Sequence, residues 1–163
     1  MTSTVTTNTM EDLGGQYLSF RLEGQEYGIP IACVREIIGA IAITRVPHAP
    51  PWIRGVINLR GKIIPVADLR VRFALPPAAV GEPCIIVVRT TESDVGILVD
   101  VVSEVVRVNV ADVAPLPEMA AGPRTACLRA IHKTPSLVRF LLDVPRALPS
   151  LASPDEHGAP AWR

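Results

Sequence analysis

Aromatic side chains are scarce in this sequence: two Trp, two Tyr and three Phe among 163 residues. Net charge is absent as well, with sixteen Lys plus Arg balanced by sixteen Asp plus Glu. Without stacking platforms or a positive field that could release counterions, nucleic acid is excluded as a main partner. Long apolar runs are missing too; none approaches the roughly 18 residues that a spanning helix requires. The Thr- and Ser-rich start, Met1 to Gly15, lacks the basic and apolar regions of a secretory signal. The expectation is a soluble, unexported chain without membrane insertion, carrying a flexible arm over residues 1–15. Cysteine is limited to Cys33, Cys84 and Cys127, each set among Val, Ile, Leu or Ala. They are expected to be reduced core residues. With no CxxC, and with His48, His132 and His157 far apart, neither a structural zinc nor any other cofactor is expected.

What is present is apolar content and punctuation. Hydrophobic residues make up 48% and the mean hydropathy is +0.33, enough to exclude disorder of the whole chain. Sixteen prolines and eleven glycines cut it into short pieces, which favours strands over helices of three or four turns. Tyr17 to Leu22 alternates, with Leu18, Phe20 and Leu22 on one face, and Glu23-Gly24-Gln25 turns it back into Tyr27, Ile29 and Ile31. Val34 to Ile38 is either a helical turn or a bent strand, Ala40 to Val46 is a strand, and Pro47 to Pro51 is a loop. Two further hairpins surround Arg60-Gly61-Lys62 and Lys133-Thr134-Pro135-Ser136. Leu75 to Pro83 is a Pro-rich connector, Cys84 to Val88 an apolar strand covered on both faces, and Val95 to Val108 further strand. Ser150 to Arg163 shows no periodicity and is expected to be disordered.

The two halves resemble each other. At an offset of 68, Gly28-Ile29, Val34 and Glu36-Ile37-Ile38 lie over Gly96-Ile97, Val102 and Glu104-Val105-Val106. At an offset of 75, Arg54, Val56, Ile63, Val66 and Asp68 lie over Arg129, Ile131, Val138, Leu141 and Asp143. Each half holds about five short strands in fewer than 70 residues, too little to bury a comfortable core alone, so the halves should share one. Barrel closure would remove the free sheet edges. The expected fold is mainly β: two small five-stranded barrels packed face to face on a shared hydrophobic core, with short helical turns.

No sequence pattern carries catalysis: GxSxG, HExxH and GxxxxGK[ST] are all missing. His48 sits between prolines as a solvated loop side chain. Asp68 and Asp143 occupy matching strand ends, where a carboxylate accepts backbone N–H bonds. Arg60 stands on a tight hairpin that could present a guanidinium to a partner's carboxylate, and equally could be a solvated tip. Glu36, flanked by apolar residues, is either an outward acid on an amphipathic turn or the border of an exposed apolar groove. Trp52 is either a contact anchor or a plug over the end of a barrel.

Val34-Arg35-Glu36-Ile37-Ile38, Ile43-Thr44-Arg45-Val46-Pro47 and above all Gly55-Val56-Ile57-Asn58-Leu59-Arg60-Gly61, followed by Pro65-Val66-Ala67-Asp68-Leu69, resemble the CheW-like chemotaxis coupling proteins. The likeness runs from about Tyr17 to Leu148. It implies SH3-like barrels, the first over about 16–74 and the second over about 83–148, with strand exchange between them left open and a tail over 149–163. It further implies a non-enzymatic adaptor, without cofactor, linking the cytoplasmic tip of a chemoreceptor to the regulatory domain of the CheA histidine kinase. Such a protein would be cytoplasmic and recruited to receptor arrays at the inner face of the membrane. Pairing with that similar domain would run barrel to barrel and could build rings. Carried over motif by motif, the implied signalling contacts are Val34, Glu36 and Ile37, then Asn58, Arg60 and Gly61. A coupling protein of another chemosensory pathway is the alternative, and a small-ligand-binding barrel or enzyme a more distant one. Ala130, where a glycine matching Gly55 is expected, departs from the family pattern.

Overall fold

The computed structural model describes residues 13–39, 41–77, 83–118 and 121–148. Its hairpins follow from their turns. Glu23-Gly24 (φ 52° and 76°) and Arg60-Gly61 (φ 54° and 82°) place both central residues in the left-handed region. That backbone matches the twist of the flanking strands and favours glycine at one position. The first turn joins β1 (Gly15–Leu22) to β2 (Gln25–Pro30), the second β4 (Ile53–Leu59) to β5 (Lys62–Asp68). Longer turns join β6 (Cys84–Arg89) to β7 (Asp94–Val99) and β10 (Leu128–Lys133) to β11 (Val138–Leu142). Each is held by a threonine hydroxyl that accepts two backbone N–H groups: Thr90 from Glu92 and Ser93, Thr134 from Ser136 and Leu137. The remaining strands are β3 (Val34–Ile38), β8 (Val101–Val108) and the two-residue β9 (Val113–Ala114). Among the described residues, three one-turn α-helices accompany the strands: α1 (Leu69–Arg72), α2 (Pro123–Ala126) and α3 (Val144–Ala147).

The strands form two sheets, in the orders β3-β6-β7-β5-β4 and β8-β1-β2-β11-β10-β9, each curled as an SH3-like barrel. They are called barrel one and barrel two here. Each barrel draws strands from both halves of the sequence, and the reason is link length. Within a barrel, β2 and β8 flank β1 antiparallel and therefore run the same way, as β7 and β3 do around β6. If β3 followed β2 into the same sheet, the two would be parallel, and a parallel connection needs about a dozen residues or more. Only Ile31–Cys33 separates β2 from β3, and only Asp100 separates β7 from β8. The chain therefore crosses into the other sheet each time.

The duplication survives in the register. β2 pairs with β11 in parallel, Gly28 opposite Leu141, and β5 with β7, Val66 opposite Gly96. Both glycines are close-approach positions: a Cβ on Gly28 would meet the Leu141 side chain at 3.2 Å, and one on Gly96 the Ile85 and Val66 side chains at 2.8 and 3.4 Å. The shared core lies between the barrels. Leu18, Phe20, Leu22, Tyr27 and Ile29 of barrel two meet Ile86, Val88, Val95, Ile97 and Val99 of barrel one, with Phe20 stacked on Tyr27 at 5.6 Å. Burying each such side chain contributes about 1.5–3 kcal/mol relative to exposure. The opposite faces point into the barrels: Ile57, Ile64, Val66, Ile85 and Val87 fill barrel one, and Leu13, Tyr17, Val108, Ala130 and Leu141 line barrel two. Polar ties also cross between the barrels. Arg70 of α1 binds Asp100 and Glu23, and Arg72 donates to the carbonyls of Ala147 and Arg146 at 3.2 and 3.1 Å.

Several expectations require correction. Val34 to Ile38 is the bent-strand alternative, with a register shift between Val34 and Glu36. The strand expected over Ala40 to Val46 is reduced to a single bridge, Thr44 to Val56, because Pro47 ends the run and β4 offers it no further partner; Ala40 lies outside the described residues. Val95 to Val108 is two strands broken at Asp100. Barrel two has a sixth strand, β9, opposite Ile131 where barrel one has the Thr44 bridge opposite Val56. Residues 13–15 do not belong to an arm: Leu13 is buried, its carbonyl accepts the Tyr17 hydroxyl at 2.7 Å, and Gly15 opens β1. The rest of the arm, 1–12, and the tail, 149–163, lie outside the described residues, as does 78–82 of the connector.

Candidate functional site

Six residues were singled out by motif, and the fold distributes them over one hairpin and one strand of barrel one. The β4–β5 turn is rigid: both Arg60 and Gly61 have left-handed backbones, and the Asn58 carboxamide oxygen accepts the Gly61 N–H at 2.9 Å. The Arg60 guanidinium is thereby held on fixed backbone while its side chain stays about three-quarters exposed. Glu36 comes from β3, at the other end of the sheet order, and the bulge after Val34 re-aims it. Closure of the barrel brings the two together as a fork-to-fork pair, Nη1 to Oε1 and Nη2 to Oε2, both at 2.8 Å. The Arg60 hydrogen bonds hold the Glu36 carboxyl below its usual range, against partial desolvation and the Asp94 charge and with the help of the Arg60 charge.

The strands that carry the pair also expose apolar side chains. Ile37 is 45% exposed, and Ile63 on β5 is 55% exposed. Val34 instead turns toward the shared core, where it is half-buried. Asp94 joins the site from β7, holding Arg35 at 3.2 Å and Lys62 at 3.3 Å. Sequence reasoning missed Asp94, although its offset of 68 from Glu26 was a usable signal. The result is a surface with mixed charge and exposed Ile, the composition of a docking rim rather than a reaction centre. It has no copy in barrel two: the positions of Glu36 and Arg60 are taken there by Glu104 and Pro135.

The other sequence candidates have structural jobs. Asp68 Oδ1 accepts the Arg70 N–H at 3.0 Å and Asp143 Oδ1 the Arg146 N–H at 3.2 Å, so each stops a strand and caps the helix that follows. Trp52 is half-buried against the shared core, with the Arg72 guanidinium 5.6 Å from its ring centre, which fits the plug rather than the anchor. His48 is an exposed loop residue with φ 62°. Cys127 is buried, whereas Cys33 and Cys84 are only half-buried, and all three are free thiols. A pocket of about 410 Å³ lies beside Cys33, between the 90–93 turn and α3. Burial raises the Cys33 thiol above its ordinary range despite the Arg129 charge, the opposite of what a nucleophile needs. Among the described residues, no group of three or more His, Cys, Asp and Glu is placed to hold a metal. None of the described helices is long and apolar enough to cross a membrane.

With this geometry in hand, comparison decides the family. The CheW-like domain family model matches residues 16–152. The chain belongs to the CheW-like family. It is 36% identical to "Chemotaxis protein CheW" of Klebsiella aerogenes over 149 residues, covering 91% of this chain and 90% of that protein. Among solved structures it resembles the scaffolding protein TtCheW of Thermoanaerobacter tengcongensis, with a TM-score of 0.73 and 33% identity, covering 80% of this chain and 89% of that one. "Protein FrzA" of Myxococcus xanthus is 33% identical over 103 residues, covering 63% of this chain and 64% of its own length. This CheW-like chain is thus a scaffold-type protein, and its two-barrel fold is that of its relatives.

Proposed function

We propose that this protein is a non-enzymatic chemotaxis adaptor that couples the cytoplasmic tips of chemoreceptors to the regulatory domain of the CheA histidine kinase. The observation that carries this reading is the Glu36–Arg60 pair: a rigid, exposed fork on one barrel, bordered by exposed Ile37 and Ile63 and without a copy on the other. Val34, Glu36, Ile37, Asn58, Arg60 and Gly61 form the contact set. The mechanism is binding alone: holding receptor and kinase together lets a change in receptor packing bias which kinase conformation is populated. The kinase's regulatory domain, with the same type of barrels, pairs barrel to barrel and extends the contact into rings. The adaptor works in the cytoplasm, at receptor arrays on the inner face of the membrane.

The test mixes the purified protein with receptor tips and CheA and follows complex formation and the phosphorylation rate. Arg60→Glu places two carboxylates in the fork and should lower receptor-dependent stimulation at least about tenfold, with an unchanged circular dichroism spectrum. Unaltered stimulation, or an unfolded variant, refutes the assignment. The likeness to Protein FrzA, which is not named as a chemotaxis protein, supports a second reading: the same adaptor role in another chemosensory pathway. Exchange of the receptor tips in the same assay separates the two.

A further inference from the structure

The duplication supplies an internal control for every interior position, and one set differs in kind. In barrel one the interior holds Ile57, Ile64 and Val87. At the equivalent places, shifted by 75, 75 and 68, barrel two holds His132, Arg139 and Ser19, all buried. Glu26, equivalent to Asp94, joins them: it accepts Arg139 Nε at 2.8 Å and the Ser19 hydroxyl at 2.7 Å. His132 Nδ1 lies 3.3 Å from Arg139 Nη1. We propose that this polar interior makes barrel two a proton-operated element, which opens at mildly acid pH while barrel one stays closed.

The geometry gives the direction. A neutral imidazole accepts the Arg139 N–H, whereas an imidazolium would set a second cation 3.3 Å from Arg139, whose buried partner Glu26 would then have to offset both. The groups facing His132 come from every neighbouring element. Arg139 stands on β11, tied in turn to Glu26 on β2 at 2.8 Å and to the Ser19 hydroxyl on β1 at 3.4 Å; Arg21 reaches Glu26 from the rim at 3.2 Å. Asp112, in the turn before β9, favours the proton, but burial and the Arg139 charge outweigh it and hold His132 below its ordinary 6.5. The closed barrel therefore binds fewer protons than the opened one below about pH 6.5, and opening gains as pH falls. In barrel one, Asp94 instead binds Arg35 and Lys62, and the interior positions beside it are aliphatic.

Hydrogen exchange at pH 7.5 and 5.5, corrected for intrinsic rates, tests this by segment. A histidine that stays neutral when closed and titrates freely when open raises the opening constant about tenfold over that interval. Protection over 128–142 should fall by that factor while protection over 53–68 holds, and His132→Gln should abolish the difference. Parallel loss in both segments, or pH dependence that persists in His132→Gln, overturns the proposal. Should His132→Gln fail to fold, NMR titration of His132 in the unaltered protein decides: a midpoint at or above 6.5 in the closed state overturns the proposal, and one below it supports it.

Discussion

Gly55→Ala is the substitution whose cost the structure specifies best. Gly55 has φ 153°, and a Cβ built there would stand 2.2 Å from the Thr44 carbonyl oxygen, 2.8 Å from its carbon and 2.9 Å from the Ile43 γ-methyl. The nearest atoms are backbone, so no side-chain rotation relieves the overlap, and the 43–44 segment must retreat by about 1 Å in a close-packed surround. Retreat breaks the two hydrogen bonds of the bridge, Thr44 N–H to Val56 O at 2.9 Å and Val56 N–H to Thr44 O at 2.8 Å. At about 0.5–1.5 kcal/mol each, plus about 1–2 kcal/mol for a non-glycine residue in this backbone region, the loss comes to about 2–5 kcal/mol. Urea denaturation at fixed temperature measures it as a shift in midpoint at constant slope. The internal control is Ala130, at the position of Gly55 in barrel two, where a methyl is already fully buried. Ala130→Gly should cost only about 1 kcal/mol. A Gly55→Ala midpoint within error of the parent would show that the bridge segment is free to move, and the reasoning would fail.

The paired glycines should rank below Gly55 in the same assay. Gly96→Ala, whose tight contacts are side-chain methyls at 2.8 and 3.4 Å with the Pro65 carbonyl oxygen at an ordinary 3.7 Å, should cost about 1–3 kcal/mol, and Gly28→Ala, with 3.2 Å to Leu141, less. Asp68→Ala and Asp143→Ala each remove a cap and should lower stability by about 1 kcal/mol apiece. Glu26→Gln leaves Arg139 buried without its counter-charge and should cost about 3–5 kcal/mol. Burial alone would raise the Glu26 pKa, but hydrogen bonds from Ser19 and Arg21 and the Arg139 charge prevail and lower it below 4.5. Its contribution is therefore complete above pH 4.5 and fades as pH falls through the lower, folded value. Denaturation midpoints of parent and Glu26→Gln should accordingly converge only at strongly acid pH.

Much of this architecture was legible because strand alternation and hairpin turns are local properties. Leu18, Phe20 and Leu22 alternate and do face the shared core. What alternation could not reveal is that the other face, Tyr17 and Ser19, is buried as well, inside barrel two. The assignment of strands to sheets was hidden for a different reason: it depends on link length, and three residues between β2 and β3 decide it. The run Ile41 to Val46 misleads because β-branched composition makes a strand only where a free edge runs alongside it, and β4 offers one bridge. At the site, the turn around Arg60 was visible in its Gly, whereas the meeting of Glu36 with Arg60, 24 residues apart, needs barrel closure. Asp94 escaped notice because its partners, Arg35 and Lys62, come from two other strands.

The duplicated frame separates structural residues from specialised ones without any further sequence. Where both copies keep the same residue type, the fold explains it: Gly28 and Gly96 face a close neighbour across a parallel pair, and Asp68 and Asp143 share one cap geometry, φ −94° and ψ 103°. Where the copies diverge, the fold does not demand the residue, because the other barrel closes without it. Each cluster keeps its acid in both copies, Glu36 with Glu104 and Glu26 with Asp94, and diverges at the partners: Arg60 on barrel one stands where barrel two has Pro135, and Arg139 and His132 inside barrel two stand where barrel one has Ile64 and Ile57. The surface pair costs little desolvation and is open to a partner, as docking requires. Arg139 and His132 replace the aliphatic packing of Ile64 and Ile57 that fits the other barrel, a substitution of polar and charged groups for apolar packing that seldom adds stability. Their retention is better accounted for by a response to protons than by a contribution to the core.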